Sequence, residues 1–136
     1  MILVLFSCVN SSRRDSSAFE HVFVGENREF EVLGLHNWLQ FARLERMGDL
    51  NYLGHVPKAC GTPPRVLTIA FMTKQGSIKP RGSMLIGTSP EFELALYTTV
   101  FLSGQPQVRI HLDSCEATVV CHSMKGGRVM GTCYIK

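Results

Sequence analysis

Glycine and proline cut this chain into short apolar runs, and that punctuation favours small mixed elements over long helices. Twelve glycines and six prolines are spread through 136 residues, so few uninterrupted segments remain. The strongest run, Val66 to Met72, has the length of a single strand. No run approaches the roughly 20 apolar residues of a membrane-spanning helix. The length suits one domain with a modest core.

Periodicity sorts the runs. Phe19 to Val24 alternates apolar and polar side chains, the period of a strand, and Phe30 to Leu33 reads as a short return strand after a turn at Gly25 to Glu29. Beyond Gly34, the residues Leu35, Trp38, Leu39 and Ala42 form the apolar stripe of an amphipathic helix. Arg43, Glu45 and Arg46 would face water, Trp38 would anchor the helix in the core, and Gly48 would end it. Residues 54–65 read as loop, Val66 to Met72 as a strand, Lys74 to Lys79 as a turn, and Ser83 to Ile86 as a strand.

A second helix opens at Thr88-Ser89-Pro90-Glu91 and stops at Gly104, with Phe92, Leu94, Ala95 and Leu96 as its buried positions. Its start has two readings, Ser89 ahead of Pro90 at the first helical position or a capping box of Thr88 with Glu91. Gln107 to Leu112, Ala117 to Ser123 and Val129 to Ile135 are strands, with a turn at Lys125-Gly126-Gly127. The expected fold is α+β, with mostly antiparallel β-sheets and two helices. Residues 1–17 are read as an N-terminal remnant or linker, and residues 18–136 as one folded subdomain.

Composition narrows function only a little. A net charge of +3 permits a polyanionic partner without the dense basic stripe of a dedicated duplex binder. The five cysteines show no C-x-x-C pair, and an odd count favours buried or free thiols, with one bridge among Cys115, Cys121 and Cys133 as the alternative. Such a bridge would imply a secretory compartment. The apolar start, Met1 to Val9, lacks a basic flank and a small-residue cleavage site, so it is not read as a signal peptide. Asn10-Ser11-Ser12 fits a glycosylation sequon.

Among five histidines, position singles out two. His36 would sit in the first turn of a helix, where the positive end favours a neutral imidazole and free N–H groups can receive a phosphate. Glu20 and Glu26 lie close to His21, and a carboxylate reaching that ring would favour the imidazolium, the form of a general acid. A lysine would complete the requirements of metal-independent RNA transesterification. His55, His111 and His122 are read as structural or solvated.

Four stretches carry a family resemblance: Phe19-Glu-His-Val-Phe-Val-Gly-Glu26, Gly34-Leu-His-Asn-Trp38, Lys79-Pro-Arg-Gly-Ser83, and Ile86 to Tyr97. The closing Gly131-Thr-Cys-Tyr134 adds to them. Together they resemble the C-terminal catalytic portion of the EndoU family of uridylate-preferring endoribonucleases. The 15-residue step from His21 to His36 and the K-x-x-x-S step from Lys79 to Ser83 are similar to that family's pattern.

The resemblance implies that His21, His36 and Lys79 are catalytic and that Gly34 lends a backbone N–H near the phosphate. It also implies that Ser83 and Tyr134 recognise uracil in single-stranded, uridine-containing RNA, and that the product carries a 2′,3′-cyclic phosphate. His36 would be the base and His21 the acid, with the reverse assignment left open. Animal members of the family are linked to Mn²⁺, which makes Glu20 and Glu26 metal-related candidates, although no ligand cluster in the sequence places a metal. A monomer with no membrane association is expected, and secretion is compatible with the resemblance.

The resemblance departs in two places. The family's helical N-terminal subdomain is expected to be missing, and Tyr134-Ile135-Lys136 replaces the usual Tyr-Pro ending. An inactive RNA-binding remnant, or a fragment without function of its own, is therefore the alternative to an active enzyme.

Overall fold

The computed structural model describes residues 17–57 and 63–136. Its elements in order are helix α1 (Glu20–Val24, π-wound), β1 (Glu26–Arg28), β2 (Glu31–Leu33), α2 (Trp38–Arg46), β3 (Leu50–Pro57), β4 (Val66–Thr73) and β5 (Ile78–Leu85). Then come α3 (Pro90–Leu102), β6 (Gln107–Leu112), β7 (Cys115–Met124) and β8 (Val129–Ile135). Five strands form one sheet in the order β1-β2-β5-β4-β3, and three form another in the order β6-β7-β8. Every pairing is antiparallel except β2 with β5, so the α+β expectation holds with a third helix added.

That third helix corrects the reading of Phe19 to Val24 as a strand. Ser17 Oγ accepts from the Glu20 N–H at 3.1 Å, and Glu20 Oε2 accepts from the Ser17 N–H at 2.9 Å. This is the reciprocal capping box of a helix start. Ala18, Val22 and Phe23 are the buried residues, a spacing of one helical face rather than of a pleat. The sequence signal was present in Ser17-x-x-Glu20, but the apparent alternation masked it.

Two cores flank the site. Beneath the three-stranded sheet, α1 and α3 contribute Val22, Phe23, Tyr97 and Val100 to a cluster with Val119, Met130 and Ile135. Beneath the five-stranded sheet, Val32, Leu35, Leu50, Ile69, Phe71 and Met84 pack with Trp38, Phe41 and Leu44 of α2. The stripe of α2 is therefore Trp38, Phe41 and Leu44, while Leu39 stays 40% exposed. Trp38 is an anchor by its indole N–H as well, which donates to the Thr88 carbonyl at 2.7 Å.

Other boundaries shift. Residues 54–57 extend β3 and do not form a loop, whereas residues 58–62 of that expected loop lie outside the described residues, as does the sequon. Lys79 lies within β5, since the turn closes earlier, at Gly76 and Ser77. Ser89 caps α3 by accepting from the Phe92 N–H at 3.2 Å, with Pro90 at the first helical position. The fully buried residues of α3 are Glu93, Tyr97, Thr98 and Val100; of the expected set, Leu94 and Leu96 pack partly buried against the core, while Ala95 is exposed and Phe92 is 45% exposed. Cys121 and Cys133, directly opposed on β7 and β8, form a disulfide, and Cys115 is disulfide-bonded too. These cysteines are not free thiols.

Candidate active site

One backbone approach brings the two histidine segments together. The Leu35 N–H donates to the His21 carbonyl at 2.9 Å and the His36 N–H donates to the Val22 carbonyl at 2.7 Å. Gly34 makes this splice possible. Its φ is +65°, and a Cβ there would stand 1.7 Å from the His21 carbonyl oxygen, closer than any side chain allows. The residue expected to serve a phosphate thus has a structural duty as well.

His36 is not in the first turn of α2. Asn37 is the N-cap, its side chain accepting from the Gln40 N–H at 3.0 Å, so His36 stands one residue before the cap, outside the helix. Its own N–H is spent on Val22 and cannot receive a phosphate. The imidazole Nδ1 faces the Ser83 carbonyl at 2.9 Å. A carbonyl only accepts, so Nδ1 carries the proton and Nε2 keeps a free lone pair. Burial, helped by the charge of Lys79 and by His21 and opposed by the Ser83 bond, lowers the His36 pKa to about 4. Desolvation, not the helix end, holds this ring neutral.

His21 is turned by a different partner. Its Nδ1 lies 2.8 Å from Glu26 Oε1, across the short turn from α1 into β1. Glu26 therefore orients this ring and leaves Nε2 as the nitrogen that can exchange a proton with a ligand. Glu20 is occupied elsewhere, with Ser17, and does not reach the ring.

Lys79 projects from β5 and is only 8% exposed. Burial lowers its pKa to about 8, which keeps it a cation at neutral pH with reduced hydration. Gly82 gives its stem room, because a Cβ there would meet the Lys79 side chain at 2.9 Å.

These groups share one open cavity of ≈ 920 Å³ between the two sheets. His21, Gly34, His36, Lys79, Ser83 and Tyr134 all line it, whereas Glu20 and Glu26 do not. The Tyr134 ring stacks on His36, with centroids 5.5 Å apart and planes 21° apart. It also stacks on His122, at 5.9 Å and 27°.

The sequence reading missed several lining groups: His122, Thr132, Arg81 and Lys136. Strand register holds the signal for the first two. Cys121 pairs with Cys133 on the core side, so His122, paired with Thr132, must face the groove. His55 and His111 lie outside this groove.

Among the described residues, no group of three or more His, Cys, Asp or Glu is placed to hold a metal ion. Glu26 is committed to His21 and Glu20 to Ser17, so the two glutamates do not fit a shared metal site.

The architecture places the chain among endoribonuclease folds. It superposes on XendoU, described as a splicing-independent snoRNA-processing endoribonuclease, with a TM-score of 0.75 and 38% identity. That match covers 98% of this chain and 53% of the other. The coronavirus endoribonuclease Nsp15 from Middle East Respiratory Syndrome Coronavirus shares the fold at a TM-score of 0.64 and 17% identity, over 88% of this chain and 33% of its own.

The chain belongs to the family described as Endoribonuclease XendoU, which it matches over residues 4–135. It is 44% identical to the poly(U)-specific endoribonuclease-B of Xenopus laevis, over 96% of this chain and 46% of that protein. It is 41% identical to the uridylate-specific endoribonuclease B of Danio rerio, over 96% of this chain and 48% of that protein. The chain thus spans about half the length of these relatives.

Proposed function

We propose that this chain cleaves single-stranded RNA at uridines by transesterification. The observation that carries the reading is the pairing of a neutral, buried His36, whose Nε2 lone pair is free, with a buried Lys79 cation in the same groove as His21.

His36 Nε2 takes the proton of the ribose 2′-OH, and the 2′-oxygen attacks the adjacent phosphorus. The approach of an anionic phosphate raises the basicity of an imidazole whose pKa is otherwise low. Lys79 stabilises the charge that gathers on the non-bridging oxygens. The bond to the 5′-oxygen breaks, and His21 Nε2–H, held in line by Glu26, protonates that leaving group. The products are a 2′,3′-cyclic phosphate and a 5′-hydroxyl. Ser83 and Tyr134 contact the uracil, and Gly34 lies beside the phosphate.

The test is cleavage of a short single-stranded RNA holding one uridine, with and without Mn²⁺, alongside His36→Ala and Lys79→Ala. Cleavage 3′ of the uridine with a cyclic-phosphate end, lost in both variants, is the expected result. The same cleavage without Mn²⁺ would show that the ion is not needed. A cooperatively folded chain that binds the RNA but leaves it intact would establish the inactive, RNA-binding reading instead.

A further inference from the structure

A second set of polar contacts lies behind His36, outside the groove, and the cleavage chemistry does not use it. Its centre is Glu93 on the first turn of α3, a carboxylate with 0% exposure. Glu93 Oε1 accepts from the Thr88 hydroxyl at 2.7 Å, and Oε2 accepts from the Asn37 amide at 3.4 Å. No ion pair to Glu93 occurs among the described residues. Removing a carboxyl group from water without a cation is costly, so a fold that keeps one there needs the geometry it imposes or loses stability for nothing.

The geometry it imposes points at the base. Asn37 directly follows His36, caps α2 through its Oδ1, and bridges to Leu85 on β5, the strand whose Ser83 carbonyl holds His36 Nδ1. Trp38 is tied to the Thr88 carbonyl at 2.7 Å. Thr88 and Glu93 therefore clamp the two residues after His36, while Val22 and Ser83 hold His36 itself.

We propose that Glu93 is a positioning residue for the catalytic base: through Asn37 and Thr88 it fixes the backbone entering α2, and with it the aim of the His36 imidazole. The burial that raises the Glu93 pKa to about 7 agrees with a carboxyl group held by geometry and not by a counter-charge. This inference rests on His36 acting as the base in the reading above.

The experiment uses the full chain with two readouts. In steady-state cleavage, Glu93→Ala lowers kcat by roughly tenfold or more while KM stays within about twofold, because misaimed chemistry leaves ground-state binding intact. The near-isosteric Glu93→Gln, whose amide oxygen can accept from the Asn37 amide while its NH2 donates to the Thr88 hydroxyl, recovers most of that kcat. Asn37→Ser keeps a capping oxygen but cannot reach Glu93, and it loses kcat like the alanine variant. It decides the matter if Glu93→Ala does not fold.

The second readout needs no RNA. The His36 Nδ1–H, bonded to Ser83, gives a protected imidazole signal in NMR spectra of the wild type, and this signal is lost in Asn37→Ser while the melt stays cooperative. Wild-type kcat or an unchanged imidazole signal in a folded Asn37→Ser overturns the proposal, as does Glu93→Gln being as poor as Glu93→Ala. A wild type that cuts no RNA, with the imidazole signal still lost in Asn37→Ser, overturns the cleavage reading and leaves the positioning intact.

Discussion

Lys79→Met should abolish cleavage and make the protein more stable at neutral pH, and the size of the gain can be worked from the burial of the ammonium. The lysine titrates near 10.5 when unfolded and at about 8 in the folded groove. A depressed folded pKa favours the neutral form, so the native state is penalised wherever the unfolded lysine is charged. Each tenfold weakening of proton binding is worth roughly 1.4 kcal/mol, so at pH 7 the linkage costs about 3 kcal/mol. At pH 9.5 the native lysine is already neutral while most of the unfolded lysine is not, and the cost falls to roughly 1.4 kcal/mol. Above the unfolded pKa it vanishes.

Methionine carries no charge and fills a similar stem volume beside Gly82. The stability difference between Lys79→Met and wild type should therefore shrink by about 2 kcal/mol from pH 7 to pH 9.5. His36 does not confuse the comparison, since it is neutral throughout that interval. Urea unfolding of both proteins at the two pH values measures the difference directly. A difference that stays constant with pH would refute the claim that Lys79 is held as a desolvated cation, whatever the activity of the variant.

Two further outcomes follow from the same geometry. Gly34→Ala places a Cβ against the His21 carbonyl at a positive φ, and should cost roughly 3 kcal/mol or more and remove cleavage, read by thermal melting and RNA assay; a stable, active variant would break the splice argument. His36, with a folded pKa of about 4 against 6.5 unfolded, contributes stability that is present above pH 6.5 and lost as pH falls through 4. The wild type should thus lose about 2 kcal/mol more than His36→Asn between pH 7 and pH 5 in urea unfolding, and equal losses would refute the buried, neutral base.

Local signals in the sequence determined much of this protein. Val66 to Met72 was legible as a strand because a short apolar run has few other stable forms, and Ser89-Pro90 was legible as a helix start because its chemistry is local. The motifs around His21, His36, Lys79, Ser83 and Tyr134 were also readable, and the fold gathers all five into one groove. What the sequence could not state is which partner each polar group takes.

Carboxylates seldom enter cores, and nothing in the sequence singles out Glu93, yet it faces inward to meet Asn37 and Thr88, which lie on other segments. His36 read as a helix-end imidazole, but the Ser83 carbonyl 47 residues away selects its tautomer and burial sets its pKa. Glu20 and Glu26 looked equivalent beside His21 until the capping box drew one away. His122 read as structural or solvated, and it does stay exposed, but strand pairing lays its ring against Tyr134 in the groove. Propensity and pattern act over a few neighbouring residues, whereas tautomer, charge state and aim depend on groups that meet only when the two sheets close on each other.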